Sequence, residues 1–419
     1  MKCRQAAVSI AGKHSKFSQK SPCSFKTVAL LLAILGIVKL YSDYKLAGIS
    51  LALASAACTA ATIPARRAPT SRAPIHAPYS ALSRSIDSVV RAAIATRNIP
   101  GVSVAVLRRD TVIHTAGYGL ARIDRPVPVT PHTVFQIASL TKPFTAMAVL
   151  MLVDEGKIQL DAPASRYLAE LPGMYSSITI RQLLTHTSGI APDMRRANVD
   201  EMELAEFWRR LGERPPSAAP GAAIQYANTG YAVLSFVVER VSGIPFGEFL
   251  RRRIFAPLAM THSSYRVPQQ NDAAHARGYD LVDGRSVEAP HVFSGWGNSG
   301  IETTAEDLSH WAAAIERREL LSKASYEQMF APGKLASGAP NSFRFGSASA
   351  TYGFGWFLLE ENGRRVQTHG GAIAGFSSIV NRYPDAGYTI IVLSNSKQGS
   401  DRLGQADGVA RAIAPVLGL

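Results

Sequence analysis

The first regular pattern of hydrophobic positions begins near residue 80. Its apolar side chains recur at helical spacing, at Leu82, Ile86, Val89, Val90, Ala93 and Ile94. This pattern predicts an amphipathic helix that ends near Asn98. The next stretch, VSVAVLRRDTVIHTAGYG, predicts two strands, Val102 to Leu107 and Thr111 to Tyr118, joined by a tight turn at Arg109 and Asp110. A helix and a hairpin therefore open the expected domain.

Strand patterns return near the other end of the chain. The segments RRVQTHGG, GFSSIVNRYP and GYTIIVLSN predict three more strands. A closing helix is predicted from the spacing of Leu403, Val409, Ala410, Ile413 and Val416. The long middle of the chain is mostly helical in pattern. We therefore expect an α+β fold, with an antiparallel sheet formed by both chain ends, helices on its faces and an inserted, mainly helical subdomain. The cleft between the two parts is a natural substrate site.

The residues before the domain have a different pattern. Two uncharged runs, Thr27 to Val38 and Leu46 to Pro64, are shorter than the roughly 20 apolar residues of a spanning helix. The small residues of LALASAACTA are typical of the end of an export signal. Residues 1–58 are thus predicted to be an export signal or a membrane anchor. Lipid attachment at Cys58, ordinary cleavage and a retained anchor all stay open.

Residues 59–79 are rich in Pro, Ala, Thr and Arg and have no apolar period, so they are predicted to be a linker. The globular domain is expected to span residues 80–419. This organisation predicts an exported protein of the periplasm or cell envelope, with membrane association through the N-terminal segment as one option.

Charge and cysteine content narrow the possible functions. The chain of 419 residues has a formal net charge of +14, but residues 1–79 hold 11 Lys or Arg against one acid, so +10 lies before the domain. Nucleic-acid binding by the domain therefore loses its main support. All three cysteines, Cys3, Cys23 and Cys58, also precede the domain. A catalytic thiol and cysteine-ligated zinc are excluded there, and neither a metal nor another cofactor is expected.

A serine lies three residues before a lysine in IASLTKPF, at Ser139 and Lys142. The same spacing recurs at Ser42/Lys45 and Ser394/Lys397, so spacing alone is weak evidence. Only Ser139 opens an apolar stretch typical of a buried helix, where free N–H groups favour a developing oxyanion. Residues three apart share a helix face, so the amine can reach the hydroxyl and accept its proton. The alternative is a capping serine beside a lysine that extends to solvent.

Two further motifs favour a catalytic role for Ser139 and Lys142 over a capping role. IQYANTGYAVL holds Tyr226 and Asn228, and QTHGGAIAGFSS holds His369, Gly370 and Gly371. Each alone is compatible with simple packing, as a buried aromatic or a histidine at a strand end. Their order after S-x-x-K, namely Y-x-N and then H-G-G, is the informative feature.

These motifs resemble those of the serine beta-lactamase and penicillin-binding protein superfamily. The resemblance is to its class C-like branch, which includes D-aminopeptidases, D-alanyl-D-alanine carboxypeptidases and family VIII esterases, and it covers roughly residues 83–397. LLTHTSGI, GNSGIETTAEDLSHW, YGFGW and HGGAIAGF are similar to recurrent segments of that branch.

The resemblance implies a role for each motif residue. Ser139 would be the acylated nucleophile, Lys142 would assist its deprotonation, and Tyr226 would act as general base and then acid. Asn228 would hold the substrate amide or ester, and His369, with Gly370 and Gly371, would line the substrate site where many members have lysine. The backbone N–H groups of Ser139 and Ala372 would form the oxyanion hole.

The motifs also depart from the S-D-N and K-T-G set of other members. A histidine at position 369 is mostly neutral near pH 7, whereas lysine carries a fixed charge. Recognition of a substrate carboxylate is therefore less expected than ester or amide hydrolysis. The substrate is predicted to be a small ester, peptide or beta-lactam. A D-Ala-D-Ala carboxypeptidase, a class C-like beta-lactamase and a catalytically idle penicillin-binding or sensor protein remain alternatives.

Overall fold

A computed structural model describes residues 73–192, 202–292, 295–345, 348–397 and 404–419. All of these belong to a compact unit that spans Arg66–Leu419. The predicted export signal or anchor, residues 1–58, and the first part of the predicted linker lie outside the described residues. Within the described ranges, no helix has both the length and the apolar character needed to cross a bilayer.

The elements are numbered in chain order. The strands are β1 Ile75–His76, β2 Gly101–Arg108, β3 Thr111–Arg122, β4 Val127–Pro128, β5 Phe135–Gln136, β6 Ser264–Tyr265, β7 Tyr279–Val282, β8 Arg285–Glu288, β9 Ile301–Thr303, β10 Phe343–Phe345, β11 Ala348–Tyr352, β12 Phe357–Glu361, β13 Arg364–Ile373, β14 Phe376–Tyr383 and β15 Tyr388–Ser394. The α-helices are α1 Ala81–Arg97, α2 Thr141–Asp154, α3 Ile180–Leu184, α4 Leu204–Gly212, α5 Asn228–Ser242, α6 Phe246–Leu250, α7 Ala305–Glu316, α8 Lys323–Met329 and α9 Gln405–Ile413.

One large sheet joins the two ends of the domain. Its strand order is β1-β3-β2-β15-β14-β13-β12-β11-β10, with β4 added beside β3. The strand β15 pairs antiparallel with β2, so that Val392 lies opposite Val104. The predicted sheet from both chain ends is thus confirmed. A short parallel pairing of β1 with β3 makes the sheet mixed.

Helices cover both faces of the sheet centre. Every residue of β14 is buried, as are the first seven residues of β2. Strands buried on both sides tend to carry apolar runs, as β2 does apart from Ser103. The strand β14 differs, because it also buries four polar residues, Ser377, Ser378, Asn381 and Arg382. The helices α1 and α9 pack on each other and α9 packs on β14 and β15, while α7 packs on β2 and β15. The helix α1 begins where the Ser80 side chain accepts the Ser83 N–H and ends at Asn98 in a left-handed conformation, as its pattern predicted.

The inserted helical part begins with α2. All residues from Thr141 to Leu152 in this helix are buried, which is why its pattern is apolar on every side. Phe144 stacks on Trp311 of α7 with ring centroids 4.2 Å apart. On its other side α2 packs against α5, which in turn contacts α3 and α6. The buried helix predicted after Ser139 is therefore present, and it is held between the sheet layer and the inserted helices.

The described end of the predicted linker is ordered against the domain. Ile75 and His76 pair with Thr111 and Val112 of β3. The hydroxyl of Tyr79 also donates a hydrogen bond to Asp87 on α1. Two paired residues are too short a run to produce a sequence period, so the composition of the linker gave no sign of this contact.

Candidate active site

Ser139 lies in a single 3₁₀ turn, Ala138–Leu140, between β5 and α2. Ala138 has φ 47°, a left-handed conformation that L-residues with a Cβ adopt at a cost of about 1–3 kcal/mol. This bend turns the chain sharply from β5 into the buried helix. As a result, the serine is at the helix entrance, and its side chain is only half-buried while its neighbours are inside the core.

Lys142 is fully buried and reaches three oxygen atoms. Its Nζ donates to Ser139 Oγ at 3.0 Å, to Asn228 Oδ1 at 2.9 Å and to the Asn298 carbonyl oxygen at 3.1 Å. All three acceptors are neutral oxygens. The predicted pairing of serine and lysine along one helix is therefore present in the geometry. The alternative, a lysine extending to solvent, is inconsistent with its burial.

Tyr226 belongs to the loop that precedes α5. Its hydroxyl shares a hydrogen bond with Ser139, and its ring centroid lies 4.7 Å from Lys142 Nζ. The residue is 38% exposed toward the cleft, yet the protein packed around the phenol raises its pKa, and the hydrogen bond with Ser139 opposes this shift. The chain thus brings a third polar group to the serine from a segment that begins some 80 residues later.

The loop that carries Tyr226 is fixed by backbone hydrogen bonds to the segment after α3. Ser217 N–H donates to the Gly189 carbonyl at 2.8 Å, and Gly221 N–H donates to the Thr187 carbonyl at 2.7 Å. Nearer the tyrosine, Gln225 N–H donates to the His186 carbonyl at 2.8 Å. The segment LLTHTSGI therefore acts as a support for the tyrosine loop.

The end of β13 forms one wall of the cleft beside Ser139. Pairing of β12 with β13 ends at Phe357 and Thr368. The stretch from His369 to Ile373, called the β13 edge below, continues beyond that pairing. The turn from β13 to β14 has two residues, so Ile373 and Phe376 form a hydrogen-bonded pair. Pair types alternate along an antiparallel ladder, so Ala372 and Ser377 form a non-hydrogen-bonded pair. The Ala372 N–H therefore points away from β14, to the side where β12 has ended.

Gly371 allows the β13 edge to approach the nucleophile. A Cβ at this position would lie 2.1 Å from the Ile137 carbonyl oxygen and 2.7 Å from the Ser139 nitrogen. The Ser378 hydroxyl, which comes from the strand beside it, also donates to the Ile137 carbonyl at 2.8 Å. The two predicted oxyanion donors, the N–H groups of Ser139 and Ala372, thus belong to backbones in direct contact.

The backbone of His369 begins the β13 edge, and its side chain is buried. Its Nδ1 lies 2.8 Å from the Gly370 carbonyl and its Nε2 lies 3.0 Å from the Tyr352 hydroxyl, so both ring nitrogens are hydrogen-bonded within the protein. Burial, followed by the nearby charge of Lys142, lowers its pKa to about 3. The ring is therefore neutral at physiological pH, with its proton on Nδ1 and Nε2 accepting from the tyrosine.

The structure brings together Ser139, Lys142, Tyr226 and Asn228, and it places the β13 edge beside them. The sequence analysis missed three supporting groups: the Asn298 carbonyl, His186 and Tyr352. Each lies in a segment noted for its resemblance, but no local pattern assigned it a role. Across the described residues, His, Cys, Asp and Glu side chains form no cluster suited to a metal ion.

This arrangement can activate a hydroxyl. An amine and a phenol contact one serine oxygen, and two backbone N–H groups lie at the adjacent edge. Such a set can remove a proton, return it to a leaving group and stabilise a tetrahedral oxyanion.

Curated proteins similar to this chain include members from two bacteria. Protein flp of Staphylococcus aureus (strain N315) is 28% identical over 321 residues, which cover 74% of this chain and 63% of that protein. The chain thus spans less than two thirds of the length of this relative. The putative penicillin-binding protein PbpX of Bacillus subtilis (strain 168) is 28% identical over 311 residues, 72% of either chain.

Solved structures show the same fold. The octameric penicillin-binding protein homologue from Pyrococcus abyssi has a TM-score of 0.70 and 27% identity, covering 80% of this chain and 77% of that one. The D-amino acid amidase from Ochrobactrum anthropi SV3 has a TM-score of 0.67 and 25% identity, covering 81% and 98%. A class C beta-lactamase shares the fold with a TM-score of 0.67 and 23% identity, covering 80% and 98%.

The sequence model of the Beta-lactamase family matches residues 86–414, which include every site residue described above. A family of this kind suggests acyl-enzyme chemistry of the serine hydrolase type. The chain belongs to the Beta-lactamase family.

Proposed function

We propose that this protein is a serine hydrolase that forms an acyl-enzyme on Ser139 and releases the acyl group to water. One observation supports this most directly: the buried Lys142 Nζ lies 3.0 Å from Ser139 Oγ, and the Tyr226 hydroxyl bonds to the same serine. A capping serine does not need a buried amine and a phenol at its oxygen. A nucleophile does, because a hydroxyl is weak until a base takes its proton.

In the acylation step, Ser139 Oγ attacks the substrate carbonyl carbon and its proton passes to the adjacent base. The carbonyl oxygen becomes an oxyanion between the N–H groups of Ser139 and Ala372. The tetrahedral intermediate then collapses, and the leaving alcohol or amine departs with the returned proton. Water repeats the sequence on the acyl-enzyme, so that the acid is released and Ser139 regains its proton.

The environment of the phenol favours a division of roles between the two basic groups. Because burial raises the pKa of Tyr226, the resting phenol keeps its proton. We therefore assign the first proton acceptance to Lys142 in its neutral amine form, after its ammonium has lost a proton. Tyr226 returns a proton to the leaving group, and its phenolate then recovers a proton from the Lys142 ammonium, so that both groups are reset for the water step. This reverses the order implied by the resemblance, in which Tyr226 accepts first. Asn228, hydrogen-bonded to Lys142, fixes the amine and lies where a substrate carbonyl or amide would be oriented.

The substrate class we propose is an ester or an amide without an obligatory carboxylate beside the scissile bond. Many relatives have lysine where this chain has His369, and beta-lactams and D-Ala-D-Ala peptides both present a carboxylate. His369 is neutral and its two nitrogens are already hydrogen-bonded, so it offers no fixed charge to such a group. We propose that it shapes the wall behind the β13 edge.

A second candidate function is penicillin binding with slow or no release. The support is the naming of similar proteins, since PbpX is named a putative penicillin-binding protein and the P. abyssi structure a penicillin-binding protein homologue. Acylation would then use the same residues, and only the water step would differ.

The two candidates are separated by incubating the full chain with p-nitrophenyl butyrate, nitrocefin, a D-Ala-D-Ala peptide and a fluorescent penicillin. The control is Ser139→Ala. We expect multiple turnovers of the ester and slow turnover of nitrocefin and the peptide, all abolished in Ser139→Ala. Stable penicillin labelling without any turnover would favour the second candidate. Equal rates for wild type and Ser139→Ala would refute the nucleophile assignment.

We also propose that the chain is exported and that residues 59–79 tether the domain to the cell envelope. The proposal rests on the two uncharged runs and on Cys58 after small residues. Cell fractionation with metabolic palmitate labelling, in wild type and Cys58→Ser, tests both parts. Recovery of the full chain in the cytosolic fraction would contradict export. Label that is unchanged in Cys58→Ser would exclude that cysteine as the attachment point.

A further inference from the structure

His186 lies directly behind the catalytic tyrosine proposed above, in the segment that follows α3. It adopts a left-handed conformation with φ 57°, uncommon for a residue with a large side chain. The side chain is 1% exposed. A residue held inside the protein in a costly backbone conformation is usually fixed there by several contacts at once.

Two of those contacts flank Tyr226. The His186 carbonyl accepts the Gln225 N–H at 2.8 Å, and the His186 Nδ1 accepts the Ala227 N–H at 3.1 Å. One residue therefore hydrogen-bonds the backbone N–H groups of both residues that flank the tyrosine. The second bond needs a side-chain acceptor, so it depends on the chemical identity of residue 186 and not only on its backbone.

The ring of His186 also supports the tyrosine ring. Its centroid lies 4.4 Å from that of Tyr226, 4.5 Å from that of Tyr352 and 5.0 Å from that of Tyr231. The Tyr231 hydroxyl donates to the Leu184 carbonyl at 2.8 Å, and Tyr352 bonds to His369, so the aromatic groups behind the ring are themselves fixed. The flat ring at position 186 thus contacts both Tyr226 and these fixed aromatic groups, so it gives the tyrosine ring a rigid support.

The protonation of His186 is consistent with a geometric role. Because Nδ1 accepts a hydrogen bond, the neutral ring carries its proton on Nε2, which is buried and has no hydrogen-bond partner among the described residues. Burial and the charge of Lys142 hold the pKa of His186 well below its usual range. A buried N–H without a partner lowers the stability of the fold. A plain apolar side chain would avoid that cost, but it would leave the Ala227 N–H without its acceptor.

We propose that His186 is a positioning residue that holds Tyr226 against Ser139 by bonding the N–H groups of both neighbouring residues and packing on its ring. This rests on the proposed function, in which Tyr226 returns a proton to the leaving group. Substitution of His186 should therefore lower the catalytic rate in the same way as substitution of Tyr226. The size of the loss should depend on how much the leaving group needs a proton.

The test uses His186→Phe, which keeps a flat ring without an acceptor, and His186→Asn, whose amide oxygen can replace Nδ1 without a ring. The full chain is assayed with ethyl butyrate, whose alkoxide must be protonated, and p-nitrophenyl butyrate, whose phenolate leaves unaided. Both esters form the same butyryl-enzyme, so the leaving group acts only on acylation, which kcat/KM reports. His186→Phe should lower kcat/KM for ethyl butyrate about 100-fold and for p-nitrophenyl butyrate less than 10-fold. His186→Asn should recover part of the difference. Thermal unfolding and circular dichroism verify that each variant is folded.

The decisive comparison repeats His186→Phe in a Tyr226→Phe background. If His186 acts only through the phenol, its removal has little further effect there, so the additional loss in kcat/KM should be under about threefold. Equal losses in both backgrounds, or equal losses for both esters, would overturn the proposal and indicate a general structural role. A matched control is His114→Phe, a buried histidine on β3 outside the site, which should not discriminate between the esters.

Failure of the positioning role of His186 can be distinguished from failure of the proposed function. A fluorophosphonate probe reports whether Ser139 is nucleophilic at all, independently of substrate choice. If wild type is labelled no faster than Ser139→Ala, the serine hydrolase proposal fails, and the role of His186 fails with it. If wild type is labelled and turns over both esters, but His186→Phe behaves as wild type, only the positioning role is refuted.

Discussion

The site has two halves that the chain builds in different ways. The local half is Ser139 and Lys142, three residues apart at the entrance of one buried helix. The assembled half is Tyr226 and the β13 edge, which come from segments far along the chain and are fixed by neighbours such as His186 and Gly371. The local half needs only helix geometry to bring its atoms within 3.0 Å, whereas the assembled half needs the whole fold. Substitutions in the two halves should therefore lower activity by different amounts and in different ways.

The largest effect is expected from the local half. Ser139→Ala and Lys142→Ala should each lower kcat/KM for p-nitrophenyl butyrate by about 10⁴-fold or more, because neither group catalyses without the other. The double substitution should lose no more than either single one, since the two act as a unit. Steady-state kinetics on the full chain measures all three.

Lys157→Ala is the matched control for the lysine. Lys157 is exposed and pairs with the carboxylate of Glu155 at the surface, so its removal should leave the rate within about twofold. If Lys142→Ala retained more than a tenth of wild-type activity, the amine would not be the base, and the local half would reduce to the serine alone.

The same division explains what the sequence could predict. Two residues three apart at the start of an apolar helix lie on the same helix face, so the contact of Ser139 with Lys142 follows from the sequence. Strand patterns at both ends of the domain likewise predicted the sheet, because residues buried on both faces leave long apolar runs. Motif order and family resemblance added Tyr226, Asn228 and His369.

What the sequence did not predict depends on contacts without a local period. The support of the tyrosine loop is a set of backbone hydrogen bonds between residues 186–189 and 217–225, which place no constraint on side-chain pattern. The burial of His369 depends on Tyr352, which comes from another strand. The short strand β1 pairs through two residues, too few for an alternation to be recognised.

The next largest effect concerns the phenol of the assembled half. Tyr226→Phe keeps the ring and removes the hydroxyl that bonds to Ser139. We expect a loss of about 10²–10³-fold in kcat/KM for ethyl butyrate and a clearly smaller loss for p-nitrophenyl butyrate, because only the first leaving group needs a proton. Stopped-flow and pH-stat assays give the two rates. A loss of equal size for both esters would mean that Tyr226 serves the attack step, as the resemblance alone implied.

A smaller effect is expected where the two halves touch. Gly371→Ala places a Cβ 2.1 Å from the Ile137 carbonyl and 2.7 Å from the Ser139 nitrogen, so the β13 edge or the serine turn must shift. We expect roughly a 10²-fold loss in kcat through displaced oxyanion donors, together with a lower melting temperature. Gly173→Ala is the control, because nothing lies within 4 Å of an added Cβ and φ is not left-handed there. If Gly371→Ala kept full activity, Ala372 would not be an oxyanion donor.

The smallest effect concerns the free energy of unfolding. It tests whether the assembled half has a neutral histidine at position 369 or a positive charge, as a lysine there would supply. The pKa of His369 is about 3 in the folded protein, against 6.5 for an ordinary histidine. Below pH 6.5 the unfolded chain binds a proton at this residue that the folded chain does not, so the stabilising contribution is complete above 6.5 and falls as the pH drops toward 3.

Between pH 7 and pH 5 this residue alone should lower the free energy of unfolding by about 2 kcal/mol. Urea unfolding at both pH values should therefore show a smaller pH-dependent loss in His369→Gln than in wild type, by about that amount. Val366→Ala, a buried substitution on the same strand, should lower stability by a similar amount at each pH and keep the wild-type slope. An unchanged slope in His369→Gln would mean that the histidine is protonated in the fold. The β13 edge would then carry the positive charge that carboxylate-bearing substrates need, and the proposed preference for esters would lose its basis.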